Sequence, residues 1–355
     1  MSKKQSYLGI DMGGSSLKLV ELKNTNGRSQ LVTYGYLDEI PNLVKDESAA
    51  AQKEIGVLLK HLLKRSKTTS ITAISALPSY SVFSSIITLP AMSKKDLISA
   101  VRWEAKKFVP IPLEEMILDW EVLTDSVAPG KAADSKPAEG AKPNTKILLT
   151  AAPKNLVNRF VGALKEAELQ VVGLETESFA LARVLVGNDR NPVMAIDIGG
   201  NYTNIIIYSE GVPMLNRSID VGGHTVTKSV ARTTGLDAGQ AEQFKRDLDA
   251  QLIKSPSEAL PEPVSYLLNS IVNEIKYILN IYRSQHKNDI SRIILTGGSS
   301  TLMDFPAYLQ NLFNIKSFIA DPWARVIHPV EIDSLLKQIG PRLAVSVGLA
   351  MREIV

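Results

Sequence analysis

With 355 residues, 45% apolar and 22% charged, the chain is long enough for two lobes with separate cores and has a typical soluble composition. The formal net charge is only +3, with 40 basic residues scattered among 37 acidic ones, which excludes the electrostatic footprint of a nucleic-acid-binding protein. The lack of cysteine excludes disulfides and thiolate metal sites and agrees with a cytoplasmic location. We expect no signal peptide or membrane helix, because strand-like Tyr7–Ile10 follows the start at once.

Two stretches share one pattern: an apolar strand, an aspartate, a glycine-rich turn and a second apolar strand. The first runs from Tyr7 to Glu21 around Asp11 and Gly13. The second runs from Val193 to Tyr208 around Asp197. The chain therefore contains a degenerate internal duplication, and we expect one hairpin in each half.

The residues between these hairpins predict a small α/β insertion. Ser93, with Asp96 three residues later, is typical of a helix N-cap, and the prolines after Phe108 end that helix. The expected elements are strands at Ser81–Leu89, Ile117–Leu123 and Lys146–Ala151, with helices at Ser93–Phe108 and Lys154–Ala167.

A segment rich in Ala, Pro, Lys, Gly and Asp, Asp125–Thr145, lies inside this insertion. It has almost no large apolar residue, so burial cannot offset the entropy lost on ordering. We expect this linker to be disordered, and the sequence leaves its role open.

The second half predicts mostly helices around one further strand. Three prolines predict a loop over Ser255–Pro263. The other expected elements are helices around Thr225–Thr234, within Ala238–Arg283, from about Asp304 to Phe313 and from Arg342 to about Arg352, and a strand at Arg292–Leu295.

The glycine-rich turns indicate phosphate chemistry. Two glycines after a strand-end aspartate let backbone N–H groups approach a phosphate, and Lys18 adds a positive charge. Either hairpin alone could be an ordinary turn, but two such turns can clamp one triphosphate from opposite walls. A third turn, Thr296–Ser300, has paired glycines that let its backbone lie flat against adenosine. Together the turns favour a nucleotide cleft.

In this order the three turns resemble the phosphate-1, phosphate-2 and adenosine motifs of the superfamily that contains actin, Hsp70, sugar kinases and FtsA. Within it the chain is most similar to the PilM family of type IV pilus assembly proteins. Ala100–Pro112 and Asp119 resemble that family's inserted subdomain. The similarity continues in Gln240–Arg246 and Asp321–Trp323, and it spans nearly the whole chain except the linker.

The resemblance implies an actin-like, two-lobed α/β fold with duplicated ribonuclease-H-like subdomains and an inserted FtsA-type subdomain 1C. The expected boundaries are 1–80 with 169–191 and 341–355 for subdomain 1A, 81–168 for 1C, 192–234 with 289–340 for 2A, and 235–288 for 2B.

It also implies ATP and Mg²⁺ as ligands. Asp11 and Asp197 are the expected metal-binding residues, directly or through water. The expected nucleotide-binding residues are Asp11, Gly13, Gly14, Ser15, Ser16, Lys18, Asp197, Gly199, Gly200, Asn201, Thr203, Glu242, Lys245, Gly297, Gly298 and Ser299.

Four of the implied charged residues have an ordinary alternative. Glu242 and Lys245, on one helical face, are expected to hold ribose and adenine, or else form a solvated ion pair. Glu175 and Glu177, just before an expected helix at Ser178–Leu185, are candidates for positioning the attacking water. They are equally typical of acids that favour a helix N-terminus. Whether ATP is hydrolysed stays open.

The resemblance further implies a cytoplasmic scaffold of the type IV pilus inner-membrane platform, in contact with other platform proteins. It would bind the N-terminal cytoplasmic peptide of a PilN-type membrane protein in a groove between 1A and 1C, with Arg102 and Trp103 as candidates. Alternatively, Trp103 fills the core beneath its helix. The chain would lie at the inner face of the inner membrane only through its partner, and the sequence leaves a homodimer open.

Two other functions compete. Gly9–Ser15 also resembles the start of sugar kinases, which need an aspartate base, but the one similar residue, Asp189, is expected at the surface. An FtsA-like division protein would use a C-terminal amphipathic anchor, and the stretch from Ala350 to Val355 is expected to be too short for one.

Overall fold

The computed structural model describes residues 5–38, 40, 46, 48–90, 92–109, 111–123, 144–252, 262–301 and 305–354. The chain divides into two compact units, Met1–Ser79 with Phe160–Val355 and Tyr80–Arg159. Among the described residues, no helix has the length and apolar content needed to cross a bilayer.

Strands and helices are interspersed along the chain, in runs of one to three elements of the same kind. The strands are β1 (Ser6–Met12), β2 (Ser16–Thr25), β3 (Arg28–Asp38), β4 (Thr72–Leu77), β5 (Phe83–Pro90), β6 (Met116–Leu123), β7 (Asn144–Pro153), β8 (Gln170–Thr176), β9 (Val193–Ile198), β10 (Thr203–Ser209), β11 (Val212–Ile219), β12 (Arg292–Thr296), β13 (Ser317–Ile319) and β14 (Val326–Ile327). The helices are α1 (Ala49–Arg65), α2 (Lys94–Phe108), α3 (Lys154–Glu166), α4 (Glu177–Leu181), α5 (Gly223–Thr234), α6 (Ala238–Leu252), α7 (Glu262–Gln285), α8 (Phe305–Phe313) and α9 (Asp333–Met351).

The larger unit contains two of the sheets that the described residues form. The first has the strand order β14-β3-β2-β1-β4-β8, and the second has the order β11-β10-β9-β12-β13. Both predicted hairpins are confirmed, because β1 pairs antiparallel with β2 and β9 pairs antiparallel with β10. In each sheet the next-to-last residue of the first hairpin strand is an aspartate, with Lys18 opposite Asp11 and Asn204 opposite Asp197.

The parallel pairing of β9 with β12 brings the third glycine turn beside the second. Thr296 is the register partner of Asp197, so the turn after β12 begins where β9 ends. Both strands are buried almost throughout, as expected for strands covered on both faces. Their apolar side chains form a continuous core with α5 and α7.

Helix α9 corrects one prediction. The expected start at Arg342 is wrong, since α9 begins at Asp333 and contains Pro341. A proline inside a helix removes one backbone donor, but the apolar surface of this helix is buried against β1, β2 and α4, which outweighs that loss.

The smaller unit is an antiparallel sheet, in the order β5-β7-β6, covered by α2. The predicted cap is confirmed, because Ser93 Oγ accepts a hydrogen bond from the Asp96 N–H and donates to its carboxylate. Its core joins alternate residues of the three strands, such as Ile87, Ile147 and Met116, with Leu97 and Val101 of α2.

The other predictions have mixed outcomes. Most of the Asp125–Thr145 linker lies outside the described residues, although its last two residues belong to β7. The proline-rich Ser255–Pro263 loop also lies mostly outside them, but Glu262 and Pro263 begin α7, since proline is tolerated in a first helical turn. The helix expected at Ser178–Leu185 is α4 followed by a π-helical turn at Ala182–Val186.

Candidate nucleotide-binding site

A cavity of about 440 Å³ lies between the two sheets of the larger unit. It is large enough for a nucleotide-sized ligand. The three glycine turns and α6 all contribute to its wall, so segments far apart in the chain face one space. The predicted residues that line it are Ser15, Ser16, Lys18, Gly199, Gly200, Glu242, Lys245, Gly298 and Ser299.

The first two turns have the same internal hydrogen bond. The Gly13 N–H donates to Ser16 O at 3.0 Å, and the Gly199 N–H donates to Tyr202 O at 2.9 Å. The turns also approach each other directly, because a Cβ at Gly200 would lie 2.3 Å from Ser15 Oγ. The duplicated hairpins therefore converge, as their sequence pattern predicted.

Helix α5 fixes the second turn through its N-terminal backbone. The N–H groups of Gly223 and His224 donate to Gly199 O and Gly200 O at 2.9 and 2.8 Å. A Cβ at Gly222 would lie 2.5 Å from Gly200 O and 2.6 Å from Gly199 O, so only glycine permits this packing. The positive end of the α5 dipole thus lies at the cavity wall, where it favours an anion.

One lysine lies among three carboxylates, two near the ends of β1 and β9 and one at the start of α4. Lys18 Nζ donates to Asp11 Oδ2 at 2.9 Å. Burial lowers the pKa of Lys18, but Asp11, Asp197 and Glu177 together raise it above its ordinary value. Burial, with Asp11 nearby, raises the pKa of Asp197 to about 6, although Lys18 opposes this shift. The single positive charge of Lys18 therefore does not balance the negative charge that the three carboxylates would carry if all were ionised.

Glu177 completes the acidic group from the start of α4. Its Oε2 accepts hydrogen bonds from the Ser79 N–H and from Asn204 Nδ2, both at 3.1 Å. Burial, followed by repulsion from Asp11 and Asp197, raises its pKa to about 8. Glu177 is thus held beside the strand-end aspartates, and not merely at a helix N-terminus.

The third turn depends on a left-handed glycine. Gly297 has φ +91°, and a Cβ there would lie 2.4 Å from Ile198 O and 2.5 Å from Asp197 Oδ1. The Ser299 N–H donates to Ile198 O at 3.0 Å. This turn is therefore packed directly on the second one.

Glu242 and Lys245 line the cavity as a hydrogen-bonded pair. Lys245 Nζ and Thr227 Oγ1 each donate to Glu242 Oε2 at 2.6 Å, and Arg246 Nε donates to Oε1 at 3.1 Å. Burial raises the pKa of Glu242, but these donors outweigh burial and hold it at about 2. The pair is mostly buried, so it is not the freely solvated ion pair of the alternative interpretation.

Several predicted residues have other partners. Both carboxylate oxygens of Glu175 are bonded by Arg183, at 2.7 and 2.8 Å, so the structure does not bring Glu175 to the acidic group. Thr203 Oγ1 donates to Val221 O, and Asn201 Oδ1 lies 3.1 Å from His224 Nδ1. Asp189, the kinase-like aspartate, is bonded by Arg292 and is not part of the cavity wall.

The cavity wall also includes residues that no sequence motif predicted, namely Asp38, Ile40, Gly223, His224, Thr227, Lys228, Ala238, Gly239, Arg246 and Arg342. Most of these residues lie several positions after one of the glycine-rich motifs or on a helix or strand that carries no such motif. The Thr225–Thr234 helix signal could have suggested His224 and Lys228, whereas no local signal marks Asp38 or Arg342.

The model of the family described as "Type IV pilus assembly protein PilM" matches residues 9–354. The chain belongs to the PilM family. In agreement, the solved structure titled "PilM-PilN type IV pilus biogenesis complex" superimposes with a TM-score of 0.83 at 25% identity, over 99% of this chain and 100% of that one.

More distant relatives support an actin-like, FtsA-like fold for this PilM-family chain. MreB5 of Spiroplasma citri bound to AMPPNP gives a TM-score of 0.50 at 14% identity, covering 98% of this chain and 95% of that one. The cell division protein FtsA of Bacillus subtilis is 20% identical, covering 91% of this chain and 80% of its own length. The predicted fold class and the PilM-family resemblance are confirmed.

Proposed function

We propose that this PilM-family protein is an ATP-binding scaffold of the type IV pilus platform, with the nucleotide in the cavity between the two sheets. The observation that carries the proposal is the convergence of both aspartate–glycine turns on one cavity with Lys18. The MreB5 relative, solved with AMPPNP, supports the same ligand class. We expect ATP to contact the predicted nucleotide-binding residues that line the cavity.

The phosphate groups would lie between the first two turns. The positive end of the α5 dipole favours an anion there, and Lys18 would add a charge-assisted hydrogen bond. Glu242 and Lys245, on the wall formed by α6, would face the ribose and adenine.

Magnesium would be held by Asp11 and Asp197. Their oxygens are the hard donors that Mg²⁺ prefers, and the raised pKa of Asp197 indicates that a cation would be favourable there. Within the described residues no group of three or more His, Cys, Asp or Glu side chains is arranged so that it could hold a metal ion by itself. Two carboxylates plus phosphate oxygens and water is the arrangement typical of Mg²⁺ with a nucleotide.

Glu177 is the proposed residue for orienting a water toward the terminal phosphate, whereas Glu175 is not, because Arg183 occupies both of its oxygens. Burial and the negative charges of Asp11 and Asp197 raise the pKa of Glu177, and a cation bound beside these aspartates would offset the second of these causes. The scaffold role does not require turnover.

The partner in this proposal is the N-terminal cytoplasmic peptide of a PilN-type membrane protein, which would keep the chain at the inner face of the inner membrane. The smaller unit offers a suitable surface. Trp103 is 63% exposed, so it does not fill the core. A cavity of about 220 Å³ is lined by Ile98, Val101, Arg102, Leu113, Met116, Leu118 and Trp120.

Calorimetric titration with Mg-ATP tests the nucleotide site. Lys18→Ala removes a charge-assisted contact worth on the order of 1.5–3 kcal/mol, so its affinity for ATP should fall about ten-fold or more. Lys60→Ala, which removes an exposed lysine paired with Glu168, is the matched control. Equal affinity of wild type and Lys18→Ala would refute the site.

A synthetic peptide with the N-terminal sequence of a PilN-type protein tests the partner. Arg102→Ala and Trp103→Ala should each weaken its binding by about 1 kcal/mol or more, since exposed Arg and Trp are typical interface hot spots. Lys95→Ala, an exposed basic residue near the start of α2, is the control. Unchanged binding in both test variants would exclude this surface.

A further inference from the structure

Arg342 is a cavity residue that no motif predicted. It lies on α9, and its neighbour Pro341 is fixed against the third turn, because the Gly297 N–H and Thr296 Oγ1 both donate to Pro341 O at 2.9 Å. A Cβ at Gly298 would lie 3.9 Å from Arg342 Nη2. The side chain is therefore held beside the glycine pair.

Two residues of β3 orient this guanidinium. Its Cζ atom lies 4.5 Å from the Tyr36 ring centroid, so the cation stacks on the aromatic face. Nη1 donates to Asp38 Oδ2 at 3.2 Å. Among the described residues, Tyr36 is the one ring found stacked on this guanidinium, so its opposite face is left for another flat group.

A purely structural role would be a half-exposed ion pair joining α9 to β3. Such pairs contribute little stability, and this role does not explain why both members of the pair lie at the cavity. Arg342 and Asp38 both line the cavity wall, beside the turn that the adenosine would contact. Their position therefore indicates a role in ligand binding.

We propose that Arg342 binds the purine base, with one guanidinium face on Tyr36 and the other on the ring of the nucleotide. Tyr36 and Asp38 are positioning residues in this arrangement. The inference rests on the proposed function and extends it to base selectivity, because a flat guanidinium stacks best on a large aromatic ring.

The charges favour the base over a phosphate as the group that Arg342 contacts. Asp38 places a carboxylate next to the guanidinium, and two negative groups at one point repel each other. The phosphate-binding features, Lys18 and the α5 N-terminus, belong to the first two turns, whereas Arg342 adjoins Gly298 of the third. A purine base carries no negative charge to be repelled by Asp38, and it would lie beside the third turn rather than beside the phosphate-binding turns.

The test compares Arg342→Gln with wild type in calorimetric titrations with Mg-ATP, Mg-CTP and inorganic tripolyphosphate. Arg342→Gln should bind ATP about ten-fold more weakly, bind tripolyphosphate like wild type and lose most of the preference for ATP over CTP. Tyr36→Phe, which keeps the ring, should behave as wild type, while Tyr36→Leu should weaken ATP binding. Arg65→Gln, on the exposed end of α1, is the matched control.

Arg342→Lys is a second variant for the case that Arg342→Gln does not fold, because it keeps the positive charge beside Asp38. It loses the flat guanidinium surface, so it should also lose the preference for ATP over CTP. If wild type binds ATP and both Arg342 variants keep its affinity and its preference over CTP, the inference is overturned while the nucleotide site stands. Equal losses for ATP and tripolyphosphate would also overturn it, because Arg342 would then contact phosphate. A wild type that binds no nucleotide overturns the proposed function and this inference together.

Discussion

The protonation state of Glu177 depends on its burial and on the charged groups around it. Its pKa of about 8 in the folded protein lies far above the ordinary value of 4.5, because burial and the charges of Asp11 and Asp197 disfavour its ionised form. Between these two pH values the folded state binds more protons than the unfolded state. Stability from this group is therefore full below pH 4.5 and is lost as pH rises through about 8.

Glu177→Gln should remove this pH dependence. The neutral amide keeps the shape of the protonated acid without its titration, so the variant should be more stable than wild type at pH 8.5, by about 1–3 kcal/mol. At pH 5 the two proteins should differ little. Urea unfolding of ligand-free protein at both pH values measures the difference.

Glu114→Gln, an exposed acid in the smaller unit, is the control and should not change the pH profile. A Glu177→Gln variant whose stability relative to wild type is the same at both pH values would show that Glu177 is ionised in the folded protein. Asp197, with its pKa raised to about 6, would then dominate the pH dependence in that range.

Much of the site could be predicted at the residue scale because its signals are local. An aspartate, two glycines and a flanking strand lie within a few positions, so Asp11, Lys18 and Gly199 could be identified in the sequence. Arg342 and Asp38 could not, because they meet only through the packing of α9 on the sheet that contains β3. Glu175 and Glu177 looked alike in sequence, and only the contacts with Arg183 separate them.

At the scale of elements, α9 joins the two sheets of the larger unit. Its glycines permit backbone contacts, since a Cβ at Gly348 would lie 2.0 Å from Ala180 O. The sequence suggested a helix only after Pro341, because a proline normally marks a helix boundary. Burial of Leu336, Leu343 and Val347 explains why the helix extends through it.

Gly348→Ala should be strongly destabilising. The added methyl group has no free space, and the nearest atoms belong to the backbone of α4, so the helices must separate at a cost of about 2–3 kcal/mol or more. Gly239→Ala in α6 is the matched control, because its nearest neighbour, Asp237 Oδ1, would lie 3.4 Å away. It should be neutral or slightly stabilising.

Chemical denaturation of both variants provides the comparison. Close packing of α9 against α4 requires the Gly348 variant to unfold at a lower denaturant concentration than the Gly239 variant. Equal midpoints would mean that α9 and α4 are not in backbone contact in solution.

At the scale of the whole molecule, nucleotide binding should protect segments that are far apart in sequence but share one cavity. The turns at 13–16, 199–201 and 297–299 and the start of α5 are joined by direct backbone hydrogen bonds and close approaches. A ligand that bridges them must restrain all of them at once. The internal duplication of the sequence predicted two of these segments, and the pairing of β9 with β12 adds the third.

Hydrogen exchange measured by mass spectrometry, with and without Mg-ATP, tests this joint response. Amides of all four segments should exchange more slowly at saturating ATP, and ATP at about 100 times its Kd should raise the free energy of unfolding by about 2.7 kcal/mol. Lys18→Ala at the same ATP concentration should show a smaller effect in every segment, because it weakens a single shared ligand. Protection of one turn without the others would mean that the turns do not hold a common nucleotide, since a ligand bound between two walls cannot restrain only one.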